Sequence, residues 1–318
     1  MSDPDVSIVV ANWQGADVIA RCLSSLQLSA RASGRSCELI CVDDASTDES
    51  VALIRERFPR VRLVKTPRNR GFAVTVMRGV SAARGRVVVL CNNDLSAKEP
   101  FIGNLTRWFF EDAGEAPLFA VSARTMDWYD GAPNQVCMGA VWRGGRVTPA
   151  YRTPERAAEC LFVQAGAAAY DRALFLRLGG LARLFEPGYW EDYDLSYRAA
   201  KAGYRSLYDP EAVALHIGGG SMTKRYGREA VEAMKARNHL LFEWANLTDP
   251  GLLMNHGLRL PVSVAQEWTR GNPRRLTRGF FGALRRLPRV LRHRRRLGRP
   301  AVGDRELLKR FEDFTPSY

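Results

Sequence analysis

Asp192 stands in an acidic stretch flanked by aromatics, Trp190-Glu191-Asp192-Tyr193-Asp194, and His216 follows it by 24 positions. Upstream, Asn92, Asn93 and Asp94 close a hydrophobic run. These residue types suit group transfer on a phosphorylated substrate. Asp94 and His216 can hold a divalent cation: oxygen ligands suit Mg2+ or Mn2+, and an imidazole favours Mn2+. Asp192 can take the proton of an attacking hydroxyl, provided its pKa is raised. A neighbouring Glu191 and burial against Trp190 would both raise it. Each residue also has a plain structural reading: Asp94 as a turn capping the next helix, His216 as a satisfied structural histidine, Asp192 as a helix N-cap. Asp43 and Asp44, at another strand end, can accept hydrogen bonds from a nucleobase N–H or a ribose hydroxyl, or form a turn with Ser46 as cap. Trp13 can stack on a base.

The elements that must position these residues alternate through the first 125 residues. Val6–Ala11, Glu38–Asp43, Val61–Val64 and Val87–Cys91 read as strands, and helical spacing separates them (16–28, 46–58 and 72–83). Ser46 and Glu49 form a capping-box pattern. Strands spaced by 10 to 15 helical residues make βαβ units and a parallel sheet, with apolar strands buried on both faces. Ligands bind beyond the carboxyl ends of such strands. Asn12 with Trp13, Asp43 with Asp44, and Asn92 to Asp94 all fall there, so they are expected to line one crevice. Beyond residue 126 the pattern is irregular, with hairpin-like runs at 135–146 and 161–170. Helices are expected at 171–178, 192–202 and 228–244, and short strands at 204–208 and 212–216. Gly218, Gly219, Gly220 and Ser221 form a loop that, with Lys224 and Arg225, can close over phosphates or simply connect.

At 318 residues, with 46% hydrophobic and 25% charged residues, the chain is long enough for a full core of ordinary soluble composition. The formal charge is +13, yet residues 270–299 hold twelve Arg and no acid, so the rest carries a net charge of only +1. This argues against a nucleic-acid partner for the body and for a tail that meets an anionic surface. Leu276, Phe280, Leu284, Leu287 and Leu291 recur there at helical spacing, interrupted by Pro288. Such a basic amphipathic helix lies on anionic membranes, or packs against the body, or makes a homo-oligomer contact. The six cysteines show no C-x-x-C pair and read as buried, reduced thiols. Met1 to Asp5 lacks a signal-peptide core, and no apolar run reaches the ~20 residues that span a bilayer. The expected location is cytoplasmic, possible attachment being peripheral on the cytosolic face of the inner membrane.

Ser7-Ile-Val-Val-Ala-Asn-Trp13, Val42-Asp-Asp-Ala-Ser-Thr-Asp48, Asn69-Arg-Gly-Phe-Ala73, Asn92-Asn-Asp94, Trp190-Glu-Asp-Tyr-Asp-Leu195 and His216, in this order, resemble the family 2 inverting glycosyltransferases of GT-A fold, especially rhamnosyltransferase-like and galactofuranosyltransferase-like members. The resemblance covers about residues 5 to 245. It implies an α/β GT-A fold with a Rossmann-like, mostly parallel central sheet: a domain at 1–245, its nucleotide half ending near 125, and a helical Arg-rich extension at 246–318. It implies a base-binding role for Asp44, a nucleobase wall at Ala11, Asn12 and Trp13, and further nucleotide contacts from Asp43, Asn69, Gly71 and Asn93. Asp94 then matches the end of the metal-binding motif, His216 a second metal ligand, and Asp192 the catalytic base. Trp190 and Glu191 fall to the donor or acceptor. Asn92 and Asn93 stand where the family carries acids, and Met77 where many members carry Asn. The implied reaction is a metal-dependent single displacement from a dTDP- or UDP-sugar to a glycan or polyprenyl-linked hydroxyl, serving bacterial cell-surface polysaccharide synthesis. A nucleotidyltransferase or a non-catalytic nucleotide-sugar scaffold remain alternatives. The first of these usually carries a basic glycine loop after the first strand, where this chain has Asn-Trp-Gln-Gly-Ala.

Overall fold

The computed structural model describes residues 3–111, 114–218, 221–269 and 273–316. Its first part runs β1 (Val6–Asn12), α1 (Ile19–Ala32), β2 (Cys37–Asp43), α2 (Ser50–Arg57), β3 (Arg62–Lys65), α3 (Phe72–Ala82) and β4 (Val87–Asn92). There follow β5 (Leu95–Ala97), α4 (Phe101–Glu111), β6 (Leu118–Asp127), β7 (Pro133–Gln135), β8 (Cys137–Arg143), β9 (Arg146–Arg152), β10 (Ala158–Cys160) and β11 (Ala167–Asp171). The remainder is α5 (Arg172–Arg177), α6 (Glu191–Lys201), β12 (Arg205–His216), α7 (Ser221–Tyr226), α8 (Arg228–Asn246), α9 (Pro250–Thr269), α10 (Pro273–Leu284), α11 (Leu287–Arg294), α12 (Asp304–Lys309) and β13 (Thr315–Pro316).

The main sheet has the order β10-β12-β6-β11-β4-β1-β2-β3. β3, β2, β1 and β4 are mutually parallel, as the apolar runs predict, and β6 pairs parallel with β12. β11 lies antiparallel between β4 and β6. The chain leaves β1 toward β2 on one side and returns through β4 on the other, so the switch point falls between β1 and β4. One apolar cluster fills the α1 and α4 side of the sheet, with Ile8, Val10, Leu23 and Phe101. The other fills the α3 side, with Val9, Val42, Val76 and Leu90.

Several local expectations shift. Ser46 does not cap α2: its hydroxyl accepts from Gln14 N at 2.9 Å, and Asp48 Oδ1 takes Ser50 N instead. The two short strands after Gly203 are one strand, bulged between Asp209 and Val213, where Pro210 interrupts the pattern. The hairpin continues to Arg152 because Gly144 and Gly145, both at positive φ, form its turn rather than its end. Pro288 lies in the first turn of α11, where a missing N–H costs nothing, so it opens a second helix instead of breaking one. Five cysteines are buried, but Cys37 is only half-buried.

The segment beyond 245 shares the central core. Leu252, Ala283, Val290, Leu307 and Phe311 join Phe162, Tyr197 and Phe242 in one cluster, and β13 pairs with β9. Arg286 donates to Leu184 O and Glu186 O, and Arg294 to Trp244 O and Leu247 O, so part of the basic segment packs against the body. Phe280 packs edge-on to Trp244, whereas Leu284, Leu287 and Leu291 are exposed. The side chain of Leu276 lies outside the described residues. Buried Asp304 ties the segment down, accepting from Tyr197 Oη, Lys201 Nζ, Thr248 N and Asp249 N at 2.6–2.9 Å. Asp304→Ala strands a buried ammonium, and is expected to lower unfolding free energy by about 3–5 kcal/mol in urea titration.

Candidate active site

Three strand ends meet in one hydrogen-bonded web. Asn12, at the end of β1, donates from Nδ2 to Asp43 Oδ1 (3.0 Å) and to Ser50 Oγ (3.1 Å), and its Oδ1 accepts from Asn93 Nδ2 (2.9 Å). Gly15 packs so closely here that a Cβ would overlap both amides. Asn12, Asp43 and Asp44 are buried. Asp44 accepts from Thr66 Oγ1 at 2.8 Å, from Arg70 N at 2.9 and 3.0 Å, and from Gly71 N at 2.8 Å. Its oxygens are therefore engaged with the loop that carries Asn69 and Gly71, and in this arrangement they shape that loop. Ala11 and Trp13 are half-buried at the crevice edge.

The pairing of β5 with β12 brings Asp94 and His216 together. β4 ends at Asn92, so Asp94 sits in the following turn rather than on the strand, and Ile217 N donates to its carbonyl at 3.0 Å. Asp94 Oδ1 is buried without a well-formed hydrogen bond, 3.2 Å from His216 Nε2. The carboxylate raises the histidine's pKa through that contact, against burial. A buried, under-used oxygen facing an imidazole nitrogen is a donor set that fits a divalent cation. No cluster of three His, Cys, Asp or Glu suited to a metal occurs among the described residues. Remaining ligands would then come from substrate and water.

Asp192 is in the first turn of α6, whose N-cap is Trp190 in the left-handed region at φ 75°, so Asp192 is not the cap. Tyr189 precedes it at φ 72°. Two successive left-handed non-glycine residues are strained and need outside support. Buried Asn238 of α8 supplies it, donating from Nδ2 to Phe185 O, Gly188 O and Tyr189 O at 2.7–2.9 Å. Trp190 stacks on His239 at 4.1 Å. That imidazole's pKa is lowered by burial and by Arg146. Beneath it, Glu243 accepts two bonds from Arg146 Nε; these charges outweigh burial and hold the carboxyl down to about 2.

Burial raises Asp192, and its backbone hydrogen bonds, from Tyr193 N at 2.9 Å and Ala165 N at 3.4 Å, only partly oppose this. Glu191 is also raised, by burial first and by the charge of Asp192 second. The two neighbouring carboxyls repel one another when both are ionised, so burial and mutual charge raise the pair together. Glu191 Oε2 is buried without a partner among the described residues. Asp194 has a different fate: Arg198 at 2.8 Å, His293 and Asn246 hold it down to about 2 despite burial, as a structural ion pair.

Short links join these groups. Asn92 N donates to Gly166 O at 2.8 Å, one residue from the Ala165 amide that reaches Asp192. From α7, Arg225 lies 4.9 Å over the Trp13 ring and donates to Asn69 Oδ1 at 2.7 Å. The segment after the glycine loop therefore spans the crevice mouth; Gly219 and Gly220 themselves lie outside the described residues. Sequence reading missed Gly15, Asn238, His239 and Glu243. The one available signal was polar residues interrupting the apolar face of α8.

A largely parallel central sheet flanked by helices, with a switch-point crevice at its strand ends, defines the GT-A class. The model of glycosyl transferase family 2 matches residues 7–179, more than half of the chain, which therefore belongs to that family and is a glycosyltransferase. The nucleotidyltransferase and scaffold alternatives fall with this assignment. The chain is 28% identical over 243 residues to the N-acetylglucosaminyl-diphospho-decaprenol L-rhamnosyltransferase of Mycobacterium tuberculosis, covering 66% of this chain and 75% of that one. It is 39% identical over 92 residues to the succinoglycan biosynthesis protein ExoO of Rhizobium meliloti; that match spans 29% of this chain and only 26% of the relative. Among solved structures, the mannosyltransferase PcManGT of Pyrobaculum calidifontis, in complex with GDP-Man and Mn2+, aligns with a TM-score of 0.53 at 20% identity, covering 91% of this chain and 76% of that one.

Proposed function

We propose that this glycosyltransferase moves a sugar from a nucleotide diphosphate donor, a dTDP- or UDP-sugar, to a hydroxyl of a glycan or lipid-linked acceptor by single displacement with inversion. The observation that carries the reading is the Asp192 carboxylate, raised by burial and held by Ala165 N, one residue from Gly166, whose carbonyl accepts from Asn92 N at the end of the strand that leads into Asp94. Trp13 and Ala11 form the wall against the base. Asp44 holds the loop of Asn69 and Gly71 in place, and Arg225 closes over Trp13. A cation on Asp94 and His216 would supply charge neutralisation for the leaving diphosphate. Asp192 accepts the acceptor's hydroxyl proton as the oxygen attacks the anomeric carbon and the bond to the diphosphate breaks. Of its two acidic neighbours, Asp194 is committed to Arg198, and burial beside Asp192 raises Glu191 and favours its protonated form.

The names of the M. tuberculosis and R. meliloti relatives support a role in bacterial surface-polysaccharide synthesis. No helix among the described residues is long and apolar enough to cross a membrane. Residues 270–299 with the exposed Leu284, Leu287 and Leu291 support peripheral contact with an anionic membrane. A thermal-shift panel of dTDP, UDP and GDP, each with and without Mn2+, tests the donor reading. One nucleotide is expected to raise the melting point more with Mn2+ than without, because it binds only the folded chain. A flat response to all three overturns the reading.

A further inference from the structure

A second cleft, of about 1180 Å3, opens against α3 and reaches Arg70, beside the loop that Asp44 holds. Neither Trp13, Asp94, Asp192 nor His216 lines it. α3 buries Val76 and Val80 against the sheet and turns Val74, Met77 and Arg78 toward the cleft. The loop at 177–186 and α11 with the residues after it complete the walls. Eight arginines contribute, against one acid, Glu186, which is engaged with Arg183 at 2.6 Å. Arg198 is satisfied by Asp194. The other six, Arg70, Arg78, Arg177, Arg289, Arg292 and Arg296, come from three separate parts of the chain. Their guanidinium groups have no ion pair or hydrogen bond among the described residues.

Six unpaired guanidinium groups around one concavity repel one another, and a folded chain gains when an anion of matching size enters. Arginine forks match phosphate oxygens bidentately. The volume far exceeds that of one small anion. The floor between the arginines is apolar, with Val74, Met77, Leu181 and Leu297, so it also offers surface to a hydrocarbon body.

We propose that this cleft is a second anion site, taking clustered phosphate groups such as a diphosphate, separate from the donor crevice and independent of the sugar-transfer reading. The ligand is either a free diphosphate or the head of an amphiphile seated on the apolar floor.

Calorimetric titration of the full chain without divalent cations tests this, with inorganic diphosphate, farnesyl diphosphate, and vesicles of phosphatidylcholine with or without phosphatidylglycerol as probes. Wild type is expected to bind at least one diphosphate probe or the phosphatidylglycerol vesicles. The triple variant R289S/R292S/R296S, on the exposed wall, should bind at least about ten-fold more weakly. Arg78→Ser, alone on the opposite wall, should weaken the same binding, and guards against misfolding of the triple variant. Asp94→Asn, in the crevice, should leave it unchanged. Farnesyl diphosphate or phosphatidylglycerol vesicles binding more tightly than inorganic diphosphate identifies a lipid-borne head; equal or weaker binding identifies a free anion. The proposal is overturned if no probe binds, or if binding survives both wall variants intact.

Discussion

Asp192→Asn is expected to lower kcat for sugar transfer by about 10³-fold while leaving the Kd for the nucleotide diphosphate within about two-fold. General-base catalysis contributes roughly 10²–10⁴-fold, and the amide preserves size while removing the carboxylate proposed as the base. In the proposed reading, nucleotide binding rests on other groups, at the ends of β1, β2 and β4. The pH profile makes the assignment specific. Burial raises the Asp192 carboxyl above its ordinary value. The base form is therefore lost, as pH falls, at a higher pH than for an ordinary aspartate. Wild-type kcat/KM should show an acid limb above the usual carboxylate range, and the residual activity of Asp192→Asn should lack it. Near-wild-type turnover by the variant would remove Asp192 from the mechanism. Glu191→Gln serves as contrast. If Glu191 stays protonated beside an ionised Asp192, that change keeps the neutral partner and costs much less.

Asp94→Asn and His216→Gln are expected each to raise the Mn2+ concentration for half-maximal activity by more than about ten-fold and to lower kcat by roughly 10²-fold. Because the two side chains face one another at 3.2 Å, they should act as a unit. The double variant should then be little worse than either single one. Mn2+ binding followed by electron paramagnetic resonance gives a readout apart from turnover. The proton on His216 competes with the cation. Since Asp94 raises that pKa, apparent Mn2+ affinity in wild type should fall as pH drops through the raised value and level off above it. In Asp94→Asn that fall should begin at lower pH. Full additivity of the two changes, with no shift in Mn2+ response, would separate the pair from the cation.

The nucleotide half was readable because its strands are apolar on both faces, a pattern only a covered parallel sheet explains. Val87–Asn92 and Val6–Asn12 lie where the periodicity put them, within a residue. The second half was harder for a physical reason: β11 inserts antiparallel between β4 and β6, and nothing in the spacing of Ala167–Asp171 announces its neighbours. The site was legible as residue types, not as partners. Asp43 and Asp44 look alike in sequence, yet Asp43 meets Asn12 while Asp44 takes the amides of Arg70 and Gly71. Which donors a strand-end carboxylate meets depends on a loop more than twenty residues away. In the C-terminal segment, composition showed the charge, but it could not show that Arg286 and Arg294 would satisfy carbonyls of the body.

The pairing of β12 with β5 has a bearing on how the enzyme comes into being during synthesis. Strands β1 to β4 form mostly from near neighbours in the chain, so the crevice at their carboxyl ends can assemble early. His216 joins Asp94 only after the 121 intervening residues have been made and β12 has closed a long loop against β5. A nascent or truncated chain ending before β12 would therefore have the strand ends of β1 to β4 but no His216 beside Asp94. Under the proposed cation role of the two residues, Mn2+ affinity becomes a reporter of whether β12 has docked against β5.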